Sequence, residues 1–424
     1  MIIKRAILLD QLIKIVEPKY ASLCVRCRGT KMLCGKPECP ILKQYFTMLR
    51  VGARFSGSRL QGGSPPSVFV GRLGYPKVRV APLVSPSEFV SPIQDLPERW
   101  FGLPLDEILE FRLSLVRGVR SLRVDSASKG GRFVETVQEM ALSREPVDAE
   151  AEFLRPPRGS ILLDYRVQPI GPSAPLARLQ VDNPRWDRRL ERVYYDTDLR
   201  AAEAMIELYA SGLEVTRIQR ALSAGTMGIG RRRSFVPTRW SITAVDSTIS
   251  EWLLSRIRRM ESIDESRVYE VDYLNNRFII LMAPGGWSYE LVESWSSGTI
   301  WNPISGRTYV ISDSEGPRPK REYAEIGGCY YAARLAVAEK LASEGRQATV
   351  SVLRWTGPGF LMPLGVWLVR ETVREALRRR PKTFSDPVEA VNYALSRIPV
   401  RREEILAKSR VIRDILTQRR LEVG

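Results

Sequence analysis

The sequence contains no histidine among its 424 residues. This absence excludes Ser-His-Asp triads, Cys-His pairs and every metal site that uses imidazole ligands. Any catalysis must therefore use carboxylates, lysine, arginine, hydroxyl groups or thiols. Long hydrophobic runs are also absent. The longest apolar stretch, over residues 361–369, is interrupted by Pro363 and Gly365 and is far too short to cross a bilayer.

The first residues predict an amphipathic helix rather than a signal peptide. Ile2, Ala6, Leu9 and Ile13 recur at spacings of three and four, which is the period of one helix face. Asp10 interrupts the apolar stretch that a secretory signal requires. We therefore expect a cytoplasmic protein with no membrane partner.

Cysteine is scarce, but four of the five cysteines lie close together in the spacing C-x2-C-x6-C-x4-C, as Cys24, Cys27, Cys34 and Cys39. Four thiolates at this spacing can close a tetrahedral zinc site. The alternatives are an iron–sulfur cluster, which the Cys39-Pro40 dipeptide also suits, and a disulfide pair. A zinc ion with four protein ligands has no open position, so we expect it to be structural rather than catalytic.

Positive charge is in large excess, with a formal net charge of +17. It is carried by 53 arginines and only 12 lysines. The guanidinium group is a planar fork of donors that matches phosphate, and it stacks on bases. The excess favours a polyanionic partner, in particular DNA. The competing explanation is a genomic or thermal bias toward arginine.

A segment near the middle of the chain concentrates this charge. Between Arg217 and Val245 the sequence has six arginines and no acidic residue, and Phe235 and Trp240 alternate with the basic residues. Arginine on phosphate and aromatic rings on bases are typical of nucleic-acid binding. The candidate nucleic-acid-binding residues are Arg231, Arg232, Arg233, Arg239 and Trp240. The alternative is a basic loop before a buried strand over residues 240–245, with Trp240 in the core.

Asp196, Asp198 and Asp246 are the candidate catalytic residues. A nuclease, or an enzyme that modifies a base or sugar, could use clustered carboxylates to hold magnesium or manganese. The spacing in the sequence does not bring these three together, so only folding could do so. The alternatives are a helix N-cap for the first two residues and an ion-paired carboxylate for Asp246. The sequence leaves open whether the protein is an enzyme.

Segment patterns predict an α+β fold, with a small N-terminal four-cysteine zinc module packed on a mixed multidomain body. Strands are predicted over residues 67–70, 77–80, 119–124, 267–283 and 348–354, and helices over 104–118, 130–145, 199–211, 329–343, 366–380, 386–397 and 401–421. Near the end of the chain, Gln418 followed by Leu421 is half of a peptide that binds the replication sliding clamp (PCNA). The two aromatic residues that complete such a peptide are missing.

Four stretches together resemble the archaeal Nre family of DNA repair proteins. They are the cysteine segment, SPPSVFVGRLGYPKV at 64–78, GRRRSFVPTRWSITAVD at 230–246 and GGCYYAARLAV at 327–337. The resemblance covers residues from about 20 to 400 and implies a role in DNA repair, without specifying a reaction. It also implies a zinc-finger-like element on the four cysteines, and a clamp-binding peptide that falls on Gln418 and Leu421. A clamp-associated adaptor with little affinity for DNA is therefore a further alternative to a DNA-binding protein or a DNA-processing enzyme.

The same resemblance suggests a division of the chain into four parts. The first, residues 1–50, holds the N-terminal helix and the cysteine module. Residues 51–265 form an Nre N-terminal-type region that includes the arginine-rich segment, and residues 266–400 form an Nre C-terminal-type region. Residues 401–424 hold a C-terminal helix and the possible clamp-binding tail.

Overall fold

The computed structural model describes residues 23–24, 26–52, 57–87, 90–159, 161, 168–302 and 306–417. The chain divides into two compact units. The first unit takes residues 1–25 and 40–249, and the second takes residues 26–39 and 250–424. The helix predicted over residues 2–16 and the candidates Gln418 and Leu421 lie outside the described residues.

The first unit is built on a six-stranded sheet with the order β1-β5-β6-β4-β3-β2. Its strands are β1 (Arg59–Ser64), β2 (Val68–Gly71), β3 (Lys77–Val84), β4 (Val116–Arg123), β5 (Val147–Phe153) and β6 (Ser173–Asp182). Neighbouring strands are antiparallel except for β4 and β6, which run parallel. Strand β2 is therefore one edge of this sheet.

The first unit contains eight helices among the described residues. They are α1 (Pro40–Gly52), α2 (Leu105–Leu113), α3 (Ser126–Lys129), α4 (Arg132–Leu142), α5 (Arg188–Tyr195), α6 (Ala201–Ala210), α7 (Val215–Ser223) and the first part of α8 (Thr238–Ile257). Of these, α4 and α7 pack on the sheet. Val70 and Val80 of the sheet pack with Val137 of α4 and with Phe235, which precedes α8. The arginine-rich segment is thus anchored in the core of the first unit by its own phenylalanine.

The second unit has its own six-stranded sheet, with the order β11-β10-β13-β9-β8-β14. Its strands are β8 (Ser266–Tyr273), β9 (Asn276–Ala283), β10 (Ser288–Trp295), β11 (Tyr309–Glu315), β13 (Thr349–Thr356) and β14 (Lys382–Phe384), and a separate parallel pair joins β7 (Glu261–Ser262) to β12 (Arg346–Gln347). The helices after α8 are α9 (Gly328–Glu344), α10 (Trp367–Arg378), α11 (Pro387–Arg397), α12 (Arg402–Leu406) and α13 (Val411–Thr417).

The expected α+β character is confirmed, and two local predictions are wrong. Residues 240–245 lie in helix α8 rather than in a strand. Val245, Ile249 and Leu253 are all buried, so the core positions recur every four residues, and this period overrides the β-branched residues that suggested a strand. The single helix predicted over 401–421 is interrupted between α12 and α13, where the buried carboxylate of Glu290 accepts the N–H groups of Arg410 and Val411 at 2.9 Å each.

Among the described helices, none combines the length and the apolar character that a membrane span requires.

Candidate nucleic-acid interface

The three consecutive arginines of the central segment have two different environments. Arg231 and Arg232 lie in a 3-10 turn, Gly230–Arg232, and both side chains are exposed. Arg233 is buried, with 8 % of its surface exposed. Its guanidinium donates to Gly228 O at 2.8 Å and to Asp196 O at 3.0 Å. Two of the three arginines are therefore available to a ligand, and the third fastens the segment to the fold.

Burial lowers the pKa of Arg233, and the neighbouring Tyr194 and Asp196 partly offset this effect. The guanidinium also lies over the Tyr194 ring, 5.2 Å from its centroid. These contacts replace the hydration that a buried cation loses. We conclude that Arg233 has a structural role.

Main-chain hydrogen bonds attach the segment after Arg233 to neighbouring parts of the first unit. The N–H of Phe235 donates to Val124 O at 2.9 Å, and the N–H of Val236 donates to Ser223 O at 3.1 Å. Phe235 itself is buried. Its ring therefore cannot stack on a base, although the sequence pattern groups it with Trp240.

Helix α8 begins beside the edge strand β2. The hydroxyl Oγ1 of Thr238 accepts the N–H of Val70 at 2.8 Å and lies 3.1 Å from Ser223 Oγ. This contact gives a partner to a main-chain donor at the edge of the sheet. It also fixes the first turn of α8, where Arg239 and Trp240 are both exposed. The alternative that places Trp240 in the core is wrong.

The turn that joins β2 to β3 brings a second exposed ring to this place. The Tyr75 and Trp240 rings are 5.0 Å apart between centroids, with their planes inclined by 56°. The N–H of Lys77 donates to Gly74 O at 2.9 Å and closes the turn. Gly74 has a φ of 91°, and a Cβ there would lie 2.9 Å from Lys77 O, so the turn requires glycine at this position.

The charges around the two rings are almost entirely positive. Arg72 is exposed in the turn, and Lys77 and Arg79 are exposed on β3. Lys77 pairs with Arg123 across β3 and β4, and the Arg123 Nε lies 3.2 Å from Asp125 Oδ1. Asp125 thus offsets the charge of Arg123, whereas Lys77 forms no ion pair among the described residues and can bind an anion.

We call the exposed cations and rings of these two stretches, taken together, the basic aromatic surface. It consists of Arg72, Tyr75, Lys77, Arg231, Arg232, Arg239 and Trp240, all in the first unit. Neither the stretch 70–80 nor the stretch 231–240 contains an acidic residue. In the part of the chain that the structure describes, its arginines and Lys77 form no ion pair. Such a surface is complementary to a polyanion with aromatic groups.

The three candidate catalytic aspartates have structural contacts. Asp196 ends α5, and its Oδ1 accepts the N–H of Asp198 at 3.1 Å and the N–H of Leu199 at 3.0 Å. Asp198 is exposed in the same turn. Asp246 is fully buried on α8 and accepts Gln219 Nε2 at 2.8 Å. The catalytic hypothesis therefore stays a prediction that these contacts do not favour.

The pKa of the Cys27 thiol lies below its ordinary value. Burial raises this pKa, but the backbone N–H groups of Leu33, Lys31, Gly29 and Met32, in the turn that follows, lower it by more. Thiolate is the form that binds a metal.

The four cysteine sulfurs nevertheless do not converge on one centre. Cys27 is buried, and Cys24, Cys34 and Cys39 are half-buried. Within the described ranges, no three Cys, Asp or Glu side chains lie close enough together to hold a metal ion. The expected zinc module is thus not formed in this arrangement of the described residues.

Sequence reasoning missed Tyr75, Arg72 and Lys77 as candidates. Their stretch reads R-L-G-Y-P-K, an aromatic residue in a glycine- and proline-containing turn between two cations. That composition alone is common in turns. The turn becomes a candidate binding site only through Trp240, which folding brings into contact with Tyr75.

The sequence matches two family models. The first, described as "Archaeal Nre, N-terminal", covers residues 33–302, and the second, "Archaeal Nre, C-terminal", covers residues 315–423. The basic aromatic surface lies entirely within the first match.

Three curated relatives are similar over most of the chain. The DNA repair protein NreB of Archaeoglobus fulgidus is 44% identical over 371 residues, which are 87% of this chain and 92% of that protein. The DNA repair protein NreA of the same organism is 37% identical, over 88% of this chain and 93% of its own length. The DNA repair protein NreA of Haloferax volcanii is 34% identical, over 83% of this chain and 86% of its own. No solved structure matches.

Proposed function

Since the chain belongs to the archaeal Nre family, we propose that it is a DNA repair protein that binds DNA through the basic aromatic surface of its first unit. The observation that carries this proposal is the exposure of Arg231, Arg232 and Arg239 in a stretch, residues 231–240, that contains no acidic residue. Arginine forks on phosphate oxygens release counterions, which is the main source of affinity in DNA binding that is independent of sequence.

The test replaces the three exposed arginines together, as Arg231→Ala, Arg232→Ala and Arg239→Ala, and leaves Arg233 in place. Fluorescence anisotropy then measures the Kd for labelled single-stranded, duplex and forked DNA over a range of salt concentrations. Each lost phosphate contact removes about one counterion from the binding equilibrium, so we expect the slope of log Kd against log salt to fall by about 2 to 3. Affinity for all three DNA forms should fall together.

A second run of three arginines provides the matched control. Arg378, Arg379 and Arg380 are also exposed, but they lie in the second unit, and the first two face Glu375. Replacing all three by alanine removes the same net charge. If this control lowers the affinity and the salt slope as much as the first set does, only the overall charge matters, and the proposed surface is wrong.

We further propose that Cys24, Cys27, Cys34 and Cys39 bind a structural zinc ion. The C-x2-C-x6-C-x4-C spacing supports this proposal, and so does the lowered pKa of Cys27, because thiolate is the form that binds a metal. Binding would have to draw the sulfurs together and order the loop between them. An iron–sulfur cluster remains the alternative for the same ligands.

Metal analysis of the purified full-length protein tests this proposal. We expect about one zinc per chain, and Cys27→Ser should remove it and lower the melting temperature. Cys329→Ser is the control, because it changes the remaining cysteine. A brown protein with iron and visible absorbance would favour the cluster, and a wild-type protein with neither metal would contradict both.

We also propose that the C-terminal residues Gln418 and Leu421 contact the sliding clamp, as the family resemblance implies. This contact would recruit the protein to sites of DNA synthesis. Co-elution of the full chain with the clamp, lost when residues 418–424 are removed, is the expected result. Co-elution that persists without these residues would place the contact elsewhere.

A further inference from the structure

Tyr75 and Trp240 are large rings that the fold leaves open to solvent. Tyr75 has 54 % of its surface exposed and Trp240 has 44 %. Leu73, at the tip of the same turn, is 76 % exposed. Single exposed apolar residues are common on protein surfaces, but a contiguous group of them marks an interaction site.

The two rings are held in place before any ligand binds. Tyr75 lies in the β2–β3 turn, where Pro76 O accepts the N–H of Val124 at 2.9 Å. Trp240 lies in the first turn of α8, which Thr238 ties to Val70 of β2. Hydrogen bonds therefore fix the backbone that carries each ring. Little conformational entropy is then lost when a ligand stacks on the ring.

The charges beside the two rings determine which kind of ligand can bind there. Arg72 and Lys77 flank Tyr75, and Arg239 precedes Trp240, all three exposed. Asp125, which is close to Lys77's strand partner Arg123, is itself paired with Lys129 and Arg123, at 2.7 and 3.2 Å. A ligand that fits must present flat aromatic faces and negative charges at close intervals, which is the chemistry of a nucleic-acid strand with accessible bases.

We propose, on the basis of the DNA binding put forward above, that the Tyr75–Trp240 pair stacks on unpaired bases. The surface then prefers single-stranded DNA, or the single-stranded part of a junction, over intact duplex. In a duplex each base face is covered by the next base pair, so the rings have nothing to stack on and only the phosphates can bind. In a single strand the base faces are free, and the rings add stacking to the phosphate contacts.

The test removes each ring while keeping an apolar side chain, as Tyr75→Leu and Trp240→Leu. Binding is measured for a single strand of twenty nucleotides and for the blunt duplex of the same sequence at one salt concentration. Loss of one stacked base corresponds to a loss of about 5- to 100-fold in affinity for the single strand. Affinity for the duplex should stay within about twofold, because the phosphate contacts are unchanged.

Two controls separate stacking from damage to the fold. Trp240→Phe keeps a ring at this position and should retain most of the preference for the single strand. Tyr309→Leu removes an equally exposed ring in the second unit, one that lies 5.4 Å from Trp295, and should change neither affinity. Melting temperatures show whether each variant is folded.

A second readout reports stacking directly. A single strand with 2-aminopurine in place of adenine loses fluorescence when this base stacks on a ring. We expect wild-type protein to quench the signal and the two leucine variants to quench it less. A strand of the same charge that carries abasic sites throughout should bind wild-type protein no better than it binds the leucine variants.

The outcomes distinguish this inference from the proposed function. Wild-type protein that binds no DNA at low salt would contradict the proposed DNA binding itself. DNA binding with equal affinity for single strand and duplex, unchanged in Tyr75→Leu and Trp240→Leu, would overturn the stacking proposal alone and leave the arginine contacts standing. A parallel loss for both DNA forms would also overturn it, because the rings would then support the surface rather than stack on bases.

Discussion

Arg231, Arg232 and Arg233 are adjacent in the chain and chemically identical, yet they have different roles. The difference comes from residues remote in sequence, because the carbonyl groups of Val193 and Asp196 at the end of α5 accept the Arg233 guanidinium, at 3.4 and 3.0 Å. Arginine that donates to several main-chain carbonyls stabilises a fold, and arginine in solvent is free to bind phosphate. Stability and DNA affinity should therefore respond to different members of the same run.

We predict that Arg233→Ala lowers the free energy of unfolding by about 2 to 4 kcal/mol, because it leaves buried carbonyl groups without a donor. Arg231→Ala and Arg232→Ala should change it by less than about 0.5 kcal/mol, as is usual for exposed positions. Urea unfolding followed by circular dichroism measures all three. Equal stability of the three variants would contradict the structural role of Arg233.

At the residue scale, only part of the candidate site could be predicted from the sequence. It identifies the basic segment and Trp240, because charge and aromatic content are local properties. It cannot separate Arg233 from its neighbours or Phe235 from Trp240, since burial depends on elements elsewhere in the chain. Tyr75 could not be identified either, because the ring that it contacts, Trp240, lies on helix α8.

At the scale of secondary-structure elements, the contact between strand β2 and the start of α8, which we call the junction, positions the two rings of the basic aromatic surface. Thr238 is the residue that joins them, through its contact with the N–H of Val70 on the edge of the sheet. Strand β2 and the first part of β3 could be predicted from their alternating pattern. Helix α8 could not, because Ile242, Thr243 and Val245 favour a strand locally and only the burial of one helix face decides the outcome.

We predict that Thr238→Val, which keeps the shape of the side chain and removes the hydroxyl, lowers the free energy of unfolding by about 1 to 3 kcal/mol. The N–H of Val70 then has no acceptor. The change should also weaken binding of single-stranded DNA, although it alters neither a ring nor a charge, because the two rings lose their fixed relative position. Thr238→Ser keeps the hydroxyl and is the matched control.

These two measurements, unfolding and single-strand affinity, decide the role of the junction. If Thr238→Val binds single-stranded DNA as well as wild type while being less stable, the junction supports the fold but does not position the rings. If it is as stable as Thr238→Ser, the hydrogen bond to Val70 contributes nothing measurable.

At the scale of the whole molecule, the chain carries two units that each contain a six-stranded mixed sheet. The α+β character follows from the alternation of strand and helix patterns along the sequence. The order of the strands does not, since β5 and β6 lie in stretches for which the sequence patterns predicted neither strand nor helix. The predicted four-part division has a boundary after residue 265, whereas the two compact units divide at residue 249, within α8.

The net charge of +17 is a property of the whole chain, and it indicates a polyanionic partner without saying where that partner binds. Locating the surface requires knowing which cations already have partners. In the second unit, several arginines are neutralised internally, as in the buried pairs of Arg354 with Glu293 at 2.6 Å and of Arg334 with Glu315 at 2.8 Å. In the first unit, the exposed Arg72, Lys77, Arg231, Arg232 and Arg239 form no ion pair among the described residues, and we place the DNA-binding surface on them because they share it with Tyr75 and Trp240.

Photo-crosslinking tests the central claim, that this surface binds DNA, most directly. Full-length protein is irradiated with a single strand that carries 5-iodouracil at defined positions, and the crosslinked peptides are identified by mass spectrometry. We predict crosslinks on the peptides that contain Tyr75 and Trp240, reduced in the Arg231, Arg232 and Arg239 triple alanine variant. Crosslinks found only in residues 26–39 or 250–417, with none on these two peptides, would contradict the account.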